Sequence, residues 1–420
     1  MKILVLTLGT RGDVQPFVAL AVELRERGHD TVVAAPARFA DLFADRGLAF
    51  AVIDDGPLRV LDTSAVGDVA TGGLRAKVAL MRQMPAMFTR VLDDCWQVAS
   101  TGPGAGADVI VHNGQVIAGQ HVAELLGIPA VLALPMPMYV PTRAFPWPGQ
   151  EFPARLPAAL NRVTYTGMKA PTLMFARTVD SWRDRLGLPR RRGRHDPLLR
   201  PEGGPVPVLH AISPAVVPRP ADWPPSAHVT GYWFTPPSAS VLPAELCEPD
   251  DDGEPLVYVG FGSMAGPDPT AMTEVVVQAL RTAGVRGVLA GGWGGLREVP
   301  PPDAWLTGDV PHDLLFPRVS AIVHHGGAGT TAAAIRAGRP QVVCPFVGDQ
   351  PFWGRRMRQL GVAPDPLDLR RLDVPRLAAA IRRAVGDPAM AASARRLGEQ
   401  VRSEDGAAVA ARILEQVVAQ

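Results

Sequence analysis

His324-His325-Gly326-Gly327-Ala328-Gly329-Thr330-Thr331 is the stretch whose reading decides the fold. It follows the apolar run Ala321-Ile322-Val323 and precedes an alanine-rich segment, an order that predicts strand, glycine turn, helix. Glycines let a backbone approach a ligand closely, the first amides of a helix lack partners within it, and the aligned peptide dipoles favour an anion there. Phosphate suits such a turn. His325 at its mouth can donate a hydrogen bond, and Thr330 or Thr331 can add a hydroxyl. Neither a Walker lysine nor the spaced glycines of a dinucleotide fingerprint occurs here. Taken alone, the glycines are accounted for by a tight turn carrying two ordinary histidines.

The next strand alters that balance. Gln341 to Cys344 repeat the apolar signal, and Pro345-Phe346-Val347-Gly348-Asp349-Gln350 places a carboxylate and an amide at its end. Parallel α/β sheets bind ligands beyond the carboxyl ends of their strands, so two neighbouring ends would present phosphate donors and sugar-hydroxyl acceptors together. A phosphorylated sugar fits both.

Three motifs, HHGGAGTT at 324–331, PFVGDQ at 345–350 and GTRGDVQPF at 9–17, together resemble the inverting nucleotide-sugar glycosyltransferases of the GT-B fold. Within that family the bacterial natural-product and sterol branch is the most similar, and the resemblance covers nearly the whole chain. It implies two doubly wound Rossmann-like domains with mainly parallel sheets facing across a cleft. It implies that His325, Gly326, Gly327, Gly329 and Thr330 hold the donor diphosphate, with Ser263, Arg11 and Gly12 also on the donor. Asp349 and Gln350 would hold sugar hydroxyls. The base-stacking tryptophan of the plant branch falls at Asp309-Val310, which puts Val310 beside the nucleobase. Asp13 would be the general base, and the amino-terminal domain would bind the acceptor. Aspartate is also a preferred helix cap, and in that role Asp13 would bind amides near Val14 to Pro16.

Composition agrees with a large enzyme. The 420 residues suggest two or three domains and support sizeable cores. A net charge of +1 gives no general attraction to nucleic acid or anionic lipid. Cys95, Cys247 and Cys344 are widely spaced and odd in number, which fits neither a disulfide framework nor a zinc site and points to a reducing cytoplasm. The apolar start, Met1 to Leu8, is too short for a signal sequence, and prolines break the run Ile128 to Val140.

Along the chain, Lys2 to Leu8 predicts a buried parallel strand, Gly9 to Gln15 a turn, and Pro16 to Arg27 a helix ended by Gly28. Thr31 to Ala35 predicts the second strand. No acidic residue closes that strand, which argues against a nicotinamide or flavin enzyme. Leu80, Met81, Met84, Met87 and Leu92 share a helical face; they serve either as core or, with Met136, Met138, Phe145 and Trp147, as an adaptable apolar acceptor pocket. Asp108 to Val111 and Ala130 to Leu134 predict strands flanking a helix from Ile117 to Leu126. His112 and Asn113 follow the first of these strands, as loop residues or as a polar contact to the acceptor. The arginines from Arg183 to Arg194 predict a solvated basic loop, or at most a peripheral membrane contact.

The proline-rich stretch around residues 236–255, with Asp250-Asp251-Asp252, predicts a linker between an acceptor domain, 1–235, and a donor domain, 256–400. A second strand-helix series begins at Leu256 to Phe261, with Ser263 just beyond, and continues through Val288 to Ala290 and the Gly291-Gly292-Trp293-Gly294 turn. Residues 401–420 carry a last helix, Gly406 to Val418, resembling the segment that in this fold crosses back to the first domain. The expected activity is sugar transfer from a nucleoside diphosphate to a hydroxyl, or less readily a nitrogen, of an apolar small molecule, with no metal required. Two other classes compete: a sugar-nucleotide epimerase of the same fold, and a noncatalytic partner protein derived from it.

Overall fold

A computed structural model describes residues 1–56, 74–152, 156–190, 193, 195–236, 242, 254–262, 268–291, 296, 304–307 and 310–419, except the side chains of 74–81, 171 and 304–307. Ser263, Asp309, the acidic run, most of the proposed linker and the Gly292–Gly294 part of the second-domain turn lie outside the described residues.

Continuous apolar runs make strands that bury both faces, and such strands assemble into parallel sheets covered by helices. Two sheets form in this way. The first has the order β3-β2-β1-β4-β5-β6-β7, with β1 at Lys2–Leu6, β2 at Asp30–Ala35, β3 at Ala49–Val52, β4 at Val109–His112, β5 at Ala130–Leu134, β6 at Val208–His210 and β7 at Ala227–Val229. Every neighbouring pair in it is parallel. The second has the order β10-β9-β8-β11-β12, with β8 at Leu256–Gly260, β9 at Arg286–Ala290, β10 at Ala304–Thr307, β11 at Ala321–His324 and β12 at Gln341–Val343, again parallel throughout. Strand order reverses beside β1 and β4 in the first sheet and beside β8 and β11 in the second. A doubly wound sheet opens a crevice at such a reversal.

Alternate residues of one strand serve opposite cores. Ile3 and Val5 join Val109 and Val111 against the helix Arg11–Glu26, while Leu4 and Leu6 face the helices Leu74–Ser100 and Ala118–Leu126 through Val91, Leu92 and Val122. The helix after β1 begins at Arg11, with Thr10 as its cap, so Pro16 lies well inside it rather than at its start. The reason is local: Asp13 accepts hydrogen bonds from the Thr10 amide at 2.8 Å and the Thr10 hydroxyl at 2.9 Å, closing a capping box one turn ahead of the proline.

The carboxyl-terminal helix Gly406–Val418 packs in the first core, where Ala410, Ala411 and Leu414 meet the group around Phe17 and Leu20. Glu415 adds contacts to His29 at 3.0 Å and Arg27 at 3.5 Å. A further apolar cluster draws Ile212, Val216 and Tyr232 of the first unit together with Ile335, Phe352 and Trp353 of the second and Leu397 from the helix Pro388–Arg402. The two units are therefore joined through a buried apolar seam as well as through the chain. Among the described residues, no helix is long and apolar enough to cross a membrane.

Candidate functional site at the facing helix termini

The second-domain wall is the glycine turn. Gly326 sits at φ +91°, and a Cβ there would stand 2.8 Å from Val343 Cγ1 and 3.1 Å from the Gln350 carbonyl oxygen, so both conformation and space demand glycine. The helix Ala328–Arg336 starts immediately after, capped by Gly327. Thr331 donates both its amide and its hydroxyl to the Gly327 carbonyl at 2.9 Å, which commits that hydroxyl to the helix and leaves Thr330, half-buried, as the threonine at the mouth.

His324 and His325 divide the work. His324 is fully buried, its Nδ1 accepting from the Gly326 amide at 3.0 Å, so that Nε2 carries the proton donated to Gln341 Oε1 at 2.8 Å. Burial, helped by the neighbouring His325, pushes its pKa down to about 3, so this ring is a neutral brace for the turn. His325 points into the turn, its Nε2 only 2.5 Å from where a Cβ on Gly327 would stand, while its buried Nδ1 has no hydrogen-bond partner. Burial lowers its pKa too, with a backbone contact to Gly260 partly opposing.

Asp349 and Gln350 follow β12 at the start of the helix Gln350–Gln359. Gln350 is buried, and its carbonyl oxygen is already taken by the amides of Phe346 at 2.7 Å and Val347 at 3.1 Å. Gln350 shapes the loop with that oxygen, and a sugar hydroxyl would meet its NH2 group. Asp349 accepts from Trp353 Nε1 at 2.7 Å through Oδ2. Burial pushes its carboxyl up to about 6, the Trp353 bond opposes this, and the charge of Asp13 reinforces it.

That electrostatic link crosses the cleft. The first-domain wall is the start of Arg11–Glu26, and a Cβ on Gly329 would stand 3.9 Å from Gly12 Cα. Two helix amino termini from opposite domains thus face each other at glycines, with Asp13 half-buried on one wall and the glycine turn on the other. Arg11 is exposed and hydrogen bonded to Gln15 at 3.2 Å. Val310 packs at the edge of the cluster formed by Tyr258, Val288 and Phe316.

The proposed acceptor residues lie in different surroundings. His112 is fully buried as the last residue of β4, with its ring against Gly119 and its pKa pushed down by burial to about 4, which places it inside the first core rather than on the cleft wall. Phe145 packs on Phe352 of the second domain at 5.5 Å between ring centroids, within the seam. Met138 is half-buried and lends its carbonyl to His210 and Val140, while Met84 is half-buried beside Pro85 on Leu74–Ser100.

Asn113 and Gln115 carry more than the sequence reading gave them. Asn113 is buried and stitches the ends of β1 and β4 together: Nδ2 donates to the Leu8 carbonyl at 2.6 Å and to Thr7 Oγ1 at 3.1 Å, while Oδ1 accepts from the Gln115 and Val116 amides at 3.3 Å. A short polar run, His112-Asn113-Gly114-Gln115, directly after the three apolar residues Val109 to Val111 was the available signal. Among the described residues, no group of three or more His, Cys, Asp or Glu is placed to hold a metal ion.

Comparison with known proteins agrees with this geometry. Residues 3–146 match the glycosyltransferase family 28 N-terminal domain, and residues 290–417 match the erythromycin biosynthesis protein CIII-like C-terminal domain. The O-mycaminosyltylonolide 6-deoxyallosyltransferase of Streptomyces fradiae is 38% identical over 424 residues, covering 99% of this chain and 97% of that protein. A sterol 3-beta-glucosyltransferase of Emericella nidulans is 35% identical over 430 residues, covering 98% of this chain; the chain spans only 29% of that protein's length. The crystal structure of the glycosyltransferase VinC in complex with dTDP superposes with a TM-score of 0.68 at 20% identity, with full coverage of both chains. The fold, the paired motifs and the full-length relative together establish that this chain belongs to the glycosyltransferases of the GT-B fold, in the branch that holds macrolide and sterol glycosyltransferases.

Proposed function

We propose that this protein transfers a hexose or deoxyhexose from a nucleoside-diphosphate sugar to a hydroxyl of an apolar small molecule, with inversion at the anomeric carbon. The observation that carries the proposal is the pair of facing helix termini, which meet at Gly12 and Gly329 and set a glycine turn suited to an anion opposite a carboxylate. One wall suits the leaving diphosphate: the amides at the start of Ala328–Arg336 and the His325 N–H are fixed dipoles aimed at charge that grows as the sugar departs. The other suits the acceptor, whose proton Asp13 takes.

In that step the acceptor oxygen bonds to the anomeric carbon while the bond from that carbon to the phosphate oxygen breaks. The bonding pair leaves with the nucleoside diphosphate, and the acceptor proton passes to the Asp13 carboxylate. An alcohol loses its proton only as the new bond develops, so an aspartate suffices as base. Asp13 accepts both Thr10 bonds through one oxygen, and a carboxylate has lone pairs for further donors. Capping and catalysis are compatible in one side chain.

Support for the donor class comes from the VinC complex with dTDP, and for the acceptor class from relatives whose names specify a sterol and O-mycaminosyltylonolide. The test is incubation with UDP-glucose and dTDP-glucose against ergosterol and O-mycaminosyltylonolide, followed by mass spectrometry and by NMR of the anomeric configuration. A hexose added to an acceptor with inverted configuration is expected. Donor turnover without any acceptor, giving an epimeric nucleotide sugar, would overturn the proposal.

A further inference from the structure

Gly9, at φ +130°, lies at the bottom of the first-domain wall. A Cβ placed on it would stand 2.3 Å from Gln115 Oε1 and 2.4 Å from Asp13 Oδ2, so the two side-chain tips converge over a backbone position that has no side chain. They come from the two strand ends, β1 and β4, that flank the reversal of strand order. Gln115 is exposed at that point, and its carboxamide can both donate and accept.

The turn that presents Gln115 is held from several sides. Asn113 fixes it from below through the Gln115 and Val116 amides. Tyr139 fixes it laterally: its hydroxyl donates to the Gly114 carbonyl at 2.8 Å, and its ring would stand 2.4 Å from a Cβ on Gly114. Tyr139 does this at φ +66°, the only positive φ outside glycine among the described residues. Such a conformation costs on the order of 1 to 3 kcal/mol in a non-glycine residue and persists only where its surroundings impose it. On the opposite side, Arg38 donates to the Gly9 carbonyl at 3.0 Å. Asn113 and a strained Tyr139 thus fix the turn that carries Gln115, while Arg38 fixes the Gly9 turn over which it leans.

We infer that Gln115 positions the acceptor: its carboxamide, beside Asp13 over Gly9, holds the attacking hydroxyl oxygen in line while Asp13 takes the proton. The inference rests on the proposed role of Asp13 as base and extends it to a second group. With Gln115 donating N–H to the acceptor oxygen and Asp13 accepting its proton, both polar capacities of the hydroxyl are used and its direction is fixed. Among the described residues, the charged groups near Asp13 include Asp349 from the facing domain, Arg11 on its own helix and Arg38 at Gly9.

Four proteins decide it: wild type, Asp13→Asn, Gln115→Ala and Gln115→Glu, each assayed with dTDP-glucose and O-mycaminosyltylonolide and each titrated with UDP by calorimetry. Gln115→Ala should raise the acceptor KM about tenfold, the worth of one net hydrogen bond, with a smaller change in kcat and unchanged UDP affinity. Gln115→Glu places a second carboxylate beside Asp13, so the acidic limb of kcat/KM should move up by about one pH unit. The Asp13 carboxyl, followed by 13C NMR without any acceptor and assigned by its loss in Asp13→Asn, should move the same way. An Asp13 titration and an acidic limb unmoved by Gln115→Glu would overturn the inference while leaving the base intact. Near-normal turnover of Asp13→Asn would remove the base, and the inference with it.

Discussion

On the second-domain wall a single carboxylate carries an electrostatic burden. Asp349 is an acid held in a buried position near a second acid, and its carboxyl is pushed up to about 6 by burial first and by Asp13 in addition. The folded protein therefore binds a proton at this site over a pH range where the unfolded chain, titrating near 3.9, has released it. Stability from this group is full below pH 4 and is lost as pH rises through about 6, by about 3 kcal/mol in all. Asp349→Asn keeps an acceptor for Trp353 and cannot ionise. Urea denaturation from pH 4 to 7 should show wild type losing stability relative to that variant across the window, and parallel curves would refute the linkage. Under the proposed function that proton would matter to the donor, because a neutral Asp349 could donate to a sugar hydroxyl as well as accept from one.

At the scale of elements, the glycine turn separates conformational need from ligand need. Gly326 must be glycine for its φ of +91°, whereas Gly327, at φ −61°, is glycine only because the His325 ring stands over it. Gly327→Ala should therefore leave stability within about 1 kcal/mol of wild type yet displace His325 and weaken UDP binding. His325→Ala should lose a similar amount of affinity, about 1.5 to 3 kcal/mol for a hydrogen bond to a charged group. Calorimetry of both variants checks this, and full UDP affinity in either would remove His325 from the diphosphate site. The sequence made this element legible because a strand, glycines and a helix are local signals. It also yielded β1, β2, β4, β5 and the start of the second sheet, all of them continuous apolar runs. The helix after β1 was misplaced because Pro16 outweighed the Thr10-Asp13 box, a pairing visible in the residues but weaker as a signal. The acceptor side was poorly legible for another reason. Whether His112 or Phe145 faces a cleft depends on packing against Gly119 and Phe352, which no periodicity encodes.

In the whole molecule, the seam around Tyr232, Phe352 and Trp353 and the return of Gly406–Val418 to the first core set the distance between the walls. The return depends on a backbone crossing at which a Cβ on Gly406 would stand 2.4 Å from the Gly231 carbonyl carbon, with Gly231 itself at φ +98°. Ser213 donates to Glu404 at 2.6 Å just before the crossing. Gly406→Ala must push the last helix off the helix Arg11–Glu26, whose first turn carries Asp13. It should cost about 1 to 3 kcal/mol in urea denaturation, as overpacking does, and lower transfer with UDP affinity kept. Wild-type stability in that variant would show that the crossing relaxes freely. Asp13→Asn isolates the base, since asparagine keeps the size of the side chain and an oxygen for the Thr10 amide while removing the carboxylate. Transfer should fall about 10²- to 10⁴-fold, with the urea midpoint and the UDP dissociation constant unchanged. Near-wild-type transfer by a variant that folds and binds UDP normally would contradict the account and leave Asp13 as a helix cap alone.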